Sequence, residues 1–308
     1  MKIAKLVANR PTYDPIKYPI TRLPDYPISL SAVLGLVALL TAALTAQVPG
    51  DLVSVLGRVG DRVQHYYGRA QSIVCIERVS VQPMRHDMSP EGLGRVLEFE
   101  LRIDWDATSE DDRPLEARVM RELRKVNGRP PRPNFEPGCL DPKSGAMEPL
   151  AFLLPHHRDE YTFAWNGVGR LKDRRTMMVD YKSRKPGPID AKWKGDCVSI
   201  DAPGRTKGRI WVDEVTHDVL RLDEQLTGQF EYTIPREHWG VTGPQTWVIE
   251  RADSTIRYRP VAFQDPEETV LLPDSIDTVT IFRGAQSYRI AQSFSGYKRF
   301  MTGGRIVK

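Results

Sequence analysis

Cysteine is scarce in this sequence: Cys75, Cys139 and Cys197 are all that 308 residues contain. None stands at a Cys–Cys or Cys–His spacing that fits a zinc site. G-x-S-x-G, the P-loop, the dinucleotide glycine pattern and HExxH are missing as well, which removes the motif-bearing enzyme classes. Large charge of one sign is also absent. The formal charge is +4, yet Lys2, Lys5, Arg10, Lys17 and Arg22 against Asp14 and Asp25 place +3 of it in the first 27 residues, leaving +1 for the rest. A near-neutral body has no field to draw in nucleic acid. There is no repeat of fixed period and no composition shift that marks a second domain. The sequence therefore supplies no catalytic, cofactor-binding or metal-ligating set.

One long stretch lacks charge altogether. Residues 28–48, ISLSAVLGLVALLTAALTAQV, are 21 uncharged residues behind the basic leader 1–27. That length can cross a bilayer as a helix, and the same pattern describes a secretory signal. Leu44-Thr45-Ala46 fits the small-x-small cleavage rule only loosely, so signal peptide and membrane anchor both stand, as does a true start later than Met1. Either export reading places residues 50–308, a single β-rich domain, outside the cytoplasm in the periplasm or cell envelope. Export makes Cys139 (EPGCLDP) and Cys197 (KGDCVSI) candidates for a disulfide, which would contribute roughly 4 kcal/mol on the chain-entropy view. Cys75, in the apolar run SIVCIERVSV, reads as a buried free thiol.

The body opens with helical spacing: Leu52, Leu56, Val59, Val63 and Tyr66 form one stripe, with Asp51 as its cap. After that the period is two. In RVLEFELRIDW, Leu97, Phe99, Leu101, Ile103 and Trp105 point one way and the charged residues between them the other. Burying five such side chains is worth roughly 8–15 kcal/mol. Ordering eleven backbones costs roughly 1–2 kcal/mol each, so this strand requires neighbours and a cover. Further strands are expected over 72–82, 115–126 (before the Asn127-Gly128 turn), 160–165 and 170–182 around Asn166–Gly169, 226–234, 246–251, 254–264, 276–283 and 286–300, with turns at Pro235, Asp253 and Gly284-Ala285. Residues 127–149 hold six prolines and form a loop insertion. EPLAFLLP is expected to be a short helix stopped by Pro155. The architecture implied is mainly β (α+β): a single antiparallel curved sheet, or incomplete β-barrel. An N-terminal helix and a short internal helix cover its concave face.

The stretch GRIWVDEVTHDVLRLD, residues 208–223, reads as a hairpin with a five-residue connection, Glu214 to Asp218. Ile210, Val212, Leu220 and Leu222 face one side. Arg209, Asp213, Arg221 and Asp223 face the other as cross-strand charge pairs, with Trp211 packed beside them. This hairpin, with Asp213 and Thr216 in D-x-x-T, resembles one in the periplasmic lipoprotein-carrier (LolA-like) superfamily. The closing FSGYKRF, with Phe294, Tyr297 and Phe300, resembles the last strand of uncharacterised exported bacterial proteins related to it. The resemblance implies an incomplete barrel closed by helices over an apolar cavity for acyl chains.

Three functions follow in order. The first is an exported envelope protein that is not an enzyme: a half-barrel binding lipid acyl chains or a lipidated protein. Leu97, Phe99, Leu101, Ile103 and Trp105 are its candidate cavity lining, and residues 28–48 its means of membrane association. The second is an envelope protein-interaction or sensory module with a filled core. The third is an enzyme with an unrecognised site. His156-His157 reads as a solvated turn rather than a metal site. The basic run Arg121, Arg124, Lys125, Arg129 and Arg132 reads as a polar edge rather than a nucleic-acid surface.

Overall fold

The computed structural model describes residues 2–3, 52–69, 72–105, 117–135, 137, 149–194, 197–238, 245–264 and 266–299. One helix, α1 (Leu52–Arg69), precedes all but two of the described residues of the chain. The strands are β1 (Lys2–Ile3), β2 (Ile73–Met84), β3 (Arg95–Trp105), β4 (Ala117–Val126), β5 (Tyr161–Leu171), β6 (Arg174–Ser183), β7 (Asp190–Lys194), β8 (Cys197–Asp201), β9 (Thr206–Asp213), β10 (Val219–Leu226), β11 (Phe230–Thr233), β12 (Thr246–Gln264), β13 (Glu267–Arg283) and β14 (Ser287–Arg299). Ten of them form one antiparallel path, β4-β3-β2-β14-β13-β12-β10-β9-β6-β5, and β11 adds to β12 to make an open sheet of eleven. The chain's first long strand thus pairs with its last, Ile76 opposite Ser295. β1, β8 and β7 make a separate three-stranded sheet.

The expected mainly β architecture is present. α1 carries its stripe inward: Val55, Leu56, Val59, Val63, Tyr66 and Tyr67 are all buried. They join residues from β2, β3, β6, β9, β10, β12, β13 and β14 in one apolar cluster on a single face of the sheet. Asp51, the expected cap, lies outside the described residues. Gly60 has a packing reason to be glycine. A side chain there would come within 3.0 Å of the Leu153 carbonyl oxygen, the same oxygen that accepts hydrogen bonds from the Arg158 guanidinium.

Several boundaries differ from expectation. The internal helix is a 3-10 turn of three residues, Ala151–Leu153, because Leu154 takes an extended conformation before Pro155. β5 does not turn at Asn166–Gly169. It runs through with a bulge between Trp165 and Val168, Gly167 at φ 102°, and turns at Lys172-Asp173 instead. Asp253 is no turn either. It sits mid-strand in β12, opposite Val279 on one side and Gln225 on the other. β7 and β8 were not anticipated. They cover a second apolar cluster in which Val198 and Ile200 meet Leu226, Phe230, Trp247 and Phe282.

The 208–223 hairpin has the expected connection, 214–218, between β9 and β10. Its D-x-x-T signature is a turn lock. The Asp213 carboxylate accepts from the Val215 and Thr216 amides at 3.0 and 2.8 Å, and the Asp218 amide donates to the Thr216 hydroxyl. A bulge between Val219 and Arg221 sets Val219 opposite Val212 and Leu222 opposite Ile210, so Val219 and Leu222 supply the main core in place of the expected Leu220 and Leu222 pair. The expected cross-strand charge pairs form differently. Arg209 bonds Asp180 on β6, Arg221 bonds Asp223 on its own strand, and Asp213 is buried at the turn beside Arg174. Trp211 lies between two guanidiniums, Arg221 at 4.5 Å and Arg209 at 5.8 Å from its ring centre.

Gly208, the first residue of that stretch, is held by two neighbours. A Cβ on it would fall 2.0 Å from the Asp223 carbonyl oxygen and 2.7 Å from the Tyr181 hydroxyl. Replacing Gly208 by Ala is expected to destabilise the protein by about 3 kcal/mol, the upper part of the usual overpacking range. Urea denaturation measures this, and an unchanged midpoint would show that β9 is free to shift.

Candidate functional site

The face of the sheet under α1 is the candidate site. Leu97, Phe99, Leu101 and Ile103 point into it as alternation requires, each at most 3% exposed. The Trp105 side chain lies outside the described residues. The four do not line one continuous surface. Leu101 and Ile103 belong to the main cluster beneath α1, whereas Leu97 and Phe99 belong to a smaller one with Val79, partly covered by Phe135 of the proline-rich loop.

A buried polar group lies between the two. Glu77 on β2 is opposite Phe99 and shares the inward face with Cys75 and Val79. Its carboxylate accepts Arg121 Nε at 2.6 Å, Arg121 Nη2 at 2.7 Å and Gln292 Nε2 at 2.7 Å. The Glu77 and Arg121 side chains are 0% and 6% exposed, and the guanidinium also lies over the Phe99 ring. Burial, with Glu77 close by, pushes the Cys75 thiol up to about 12, leaving it protonated at neutral pH. Sequence reasoning passed over this pair, although the signal was present. Glu77 occupies an inward position between Cys75 and Val79, and Arg121 one between Val119 and Leu123.

On the other flank of α1, Phe152, Tyr161, Phe163 and Tyr181 form an aromatic group, with Phe152 and Tyr181 ring centres 4.4 Å apart. The Tyr181 hydroxyl donates to Glu224 Oε2 at 3.2 Å. By alternation along β10, Leu222, Glu224 and Leu226 share a face; the first lies in the main cluster and the last in the second. Burial raises the Glu224 carboxyl above its ordinary range. Burial, then the nearby Glu224 carboxylate, raises the Tyr181 hydroxyl.

Where α1 meets the sheet rim a cleft of about 240 Å³ remains. Its walls are Arg62, His65, Tyr66 and Arg69 of α1, Arg174 and Asp218 from two hairpin turns, and Pro260, Thr269, Val270 and Leu271 of β12 and β13. Arg62 bonds Asp218 at 2.8 Å, Arg174 lies 3.0 Å from Asp213 and Arg69 lies 3.5 Å from Glu268, which Arg299 also reaches.

No protein-family model matches this chain, and no curated protein matches its sequence. Solved structures do. A LolA superfamily protein from Nitrosomonas europaea is 11% identical, with 85% of this chain and 96% of that chain covered and a TM-score of 0.33. A DUF1329 family protein from Desulfovibrio piger is 10% identical, with coverages of 80% and 92% and a TM-score of 0.37. A domain from Vibrio parahaemolyticus named for outer membrane lipoprotein sorting is 11% identical, with coverages of 81% and 94% and a TM-score of 0.34.

Cys75 is a free buried thiol. Cys197 is half-buried at the start of β8, and Cys139 lies outside the described residues, as does Phe300. His156 and His157 have ring centres 4.3 Å apart, and His157 Nδ1 lies 3.0 Å from Glu160 Oε1. Among the described residues no group of three or more His, Cys, Asp or Glu is placed to hold a metal ion.

Two substitutions test the polar groups. Arg121→Met strands the Glu77 carboxylate in an apolar layer and is expected to cost about 3–5 kcal/mol, most of it regained in the Glu77→Leu, Arg121→Met double variant. Equal losses in the single and double variants would show that the guanidinium stem, not the charge, matters. For Glu224 the folded carboxyl holds its proton to higher pH than the unfolded one. The native state therefore binds more protons above the ordinary carboxylate value of about 4.3, and stability declines as pH rises through the window between the two. Glu224→Gln, which still accepts from Tyr181, is expected to match the parent below pH ~4 and to exceed it increasingly at higher pH. A constant difference across pH in thermal melts would contradict the burial of that charge.

Proposed function

We propose that this protein is a non-catalytic half-barrel of the cell envelope that binds an acyl-chain-bearing ligand, a lipid or a lipidated protein, beneath α1. One observation carries the reading: a wide apolar sheet face closed at its centre by a single helix and one 3-10 turn, with a cleft left along their seam. The magnitudes are balanced. Lifting α1 exposes Val55, Leu56, Val59 and Val63 at roughly 1.5–3 kcal/mol each, about 6–12 kcal/mol in all. An acyl chain of about ten to fourteen methylenes at ~0.8 kcal/mol each restores a similar amount. A chain of ordinary length can thus take the helix's place with little net change.

Export supports the same reading through residues 28–48 and their basic leader. Among the described residues no helix is long and apolar enough to cross a membrane, and residues 28–48 lie outside them. Lys2–Ile3 pairs with β8 at Ile200 and Asp201. A single bilayer crossing between them would separate the two and cleavage of a signal would remove Lys2–Ile3, so that pairing belongs only to the intact chain before export. In an oxidising compartment Cys139 and Cys197 would pair.

A second reading rests on β5. Among the described residues it ends the strand path with a neighbour on one side only, and Tyr161, Phe163 and Trp165 on it are half-buried against the core. An added strand from a protein partner could pair there.

The test is mass spectrometry of the full chain recovered from a bacterial periplasm and membrane under mild conditions. The expected result is a stoichiometric lipid, lost on Leu101→Asp while the strand signal in circular dichroism persists, with a Cys139–Cys197 linked peptide in the non-reduced map. Folded protein that always arrives empty would favour the β5 reading. An intact Met1 confined to the cytoplasm would overturn export.

A further inference from the structure

The cleft beside α1 is unlike the rest of the covered face, because its apolar floor has a rim of arginines. Arg62, Arg69 and Arg174 come from two elements and are 44–45% exposed. Each uses only part of its donor set. Arg62 spends Nε and Nη2 on one oxygen of Asp218, Arg174 directs Nε to Asp213, and Arg69 directs Nε to Glu268 at the long distance of 3.5 Å. A guanidinium has five N–H donors, so several remain for a ligand.

Two of the three carboxylates nearby are already committed, and the third, Asp218, meets Arg62 through Oδ1. Asp213 accepts two backbone amides and is buried, and Glu268 also serves Arg299. Four arginines against three carboxylates leave the rim with one excess positive charge. The His65 imidazole on the same wall has no hydrogen-bond partner among the described residues. Below the rim, Tyr66, Val270, Leu271 and Pro260 are the apolar wall, and Tyr66 and Val270 continue into the main cluster.

We propose that this cleft binds the phosphate of an anionic amphiphile, with Arg62, Arg69 and Arg174 on the phosphoryl oxygens and the chain entering the α1 seam along Tyr66, Val270 and Leu271. Three guanidiniums converging from two sides match an oxyanion with three oxygens better than a carboxylate with two. The cleft has a volume of about 240 Å³. That accommodates a phosphate and a few attached atoms, so the remainder of the ligand must lie elsewhere. The site rests on the proposed function for its chain and on the rim alone for its phosphate.

The experiment is calorimetric titration of the full chain in a non-ionic detergent with three probes: lysophosphatidic acid, the monoacylglycerol of the same chain, and inorganic phosphate. Lysophosphatidic acid is expected to bind about tenfold or more tightly than the monoacylglycerol. The variant His65→Gln, Arg69→Gln, which leaves the Arg62–Asp218 and Arg174–Asp213 pairs in place, is expected to remove that advantage and keep the parent's circular dichroism. Arg69→Lys should restore part of it. Equal binding of both lipids, unchanged in the variant, would overturn the phosphate site and leave the acyl-binding reading intact. Binding of inorganic phosphate, lost in the variant, with no binding of either lipid, would keep the phosphate site and overturn the acyl reading. No binding of any probe would overturn both.

Discussion

An antiparallel sheet of eleven strands with one apolar face has a covering problem that governs the rest of this molecule. The face extends from β3 across to β6, and the sheet does not close on itself to hide it. Covering elements must come from outside the sheet, and the chain provides them piecemeal. α1 and the Ala151–Leu153 turn take the centre, β7 and β8 one end, and the Phe135 loop the other. Each cover depends on a local accommodation. Gly60 lets the 3-10 turn approach α1, and Arg158 ties that turn through the Leu153 carbonyl oxygen. Gly208 lets Tyr181 lie flat across β9.

Long strands hold one face only if their side-chain phase is kept, and here it is reset repeatedly. The F-x-x-Y spacing of Phe294 and Tyr297 should place them on opposite faces, yet both pack on the main core. A bulge between Ser295 and Lys298, with Gly296 at φ 61°, supplies the missing residue of phase. Tyr297 then bonds the Pro273 carbonyl oxygen at 2.6 Å. The bulge at Val219–Arg221 does the same for β10, whereas the one at Trp165–Val168 sets Val168 opposite Met177 but leaves it exposed at the sheet edge.

These bulges mark the limit of what alternation reveals. β3 was legible from end to end because its apolar residues keep strict period two, and α1 because its stripe keeps helical spacing. The 208–223 hairpin was legible in its connection but not in its inward residues, since a bulge leaves no composition signal. Asp253 and Asn166–Gly169 resembled turns because the same residues that end strands also sit at irregularities within them. β7 and β8 are five residues each, flanked by Gly, Pro and Asp, and a period of two is barely expressed over so short a run. The arginine-rimmed cleft was beyond reach for another reason. Its residues run from Arg62 to Leu271, and only the fold brings α1, two hairpin turns and the middle of β12 and β13 together.

The polar residues inside the covered face argue about what that face is for. A surface meant only as core gains nothing from a buried carboxylate–guanidinium pair, since an apolar replacement is commonly as stable. Glu77, Arg121 and Gln292 divide the smaller cluster from the main one, and Glu224 with Tyr181 lies between the main cluster and the second, under β7 and β8. The central compartment beneath α1 is thereby bounded at both ends by hydrogen-bonded polar groups. An acyl chain entering along the α1 seam would meet apolar walls only within that compartment and would be stopped where continuing means displacing a satisfied charge. On the function proposed above, the polar groups, which weaken the face as a plain core, would give it a definite length as a container.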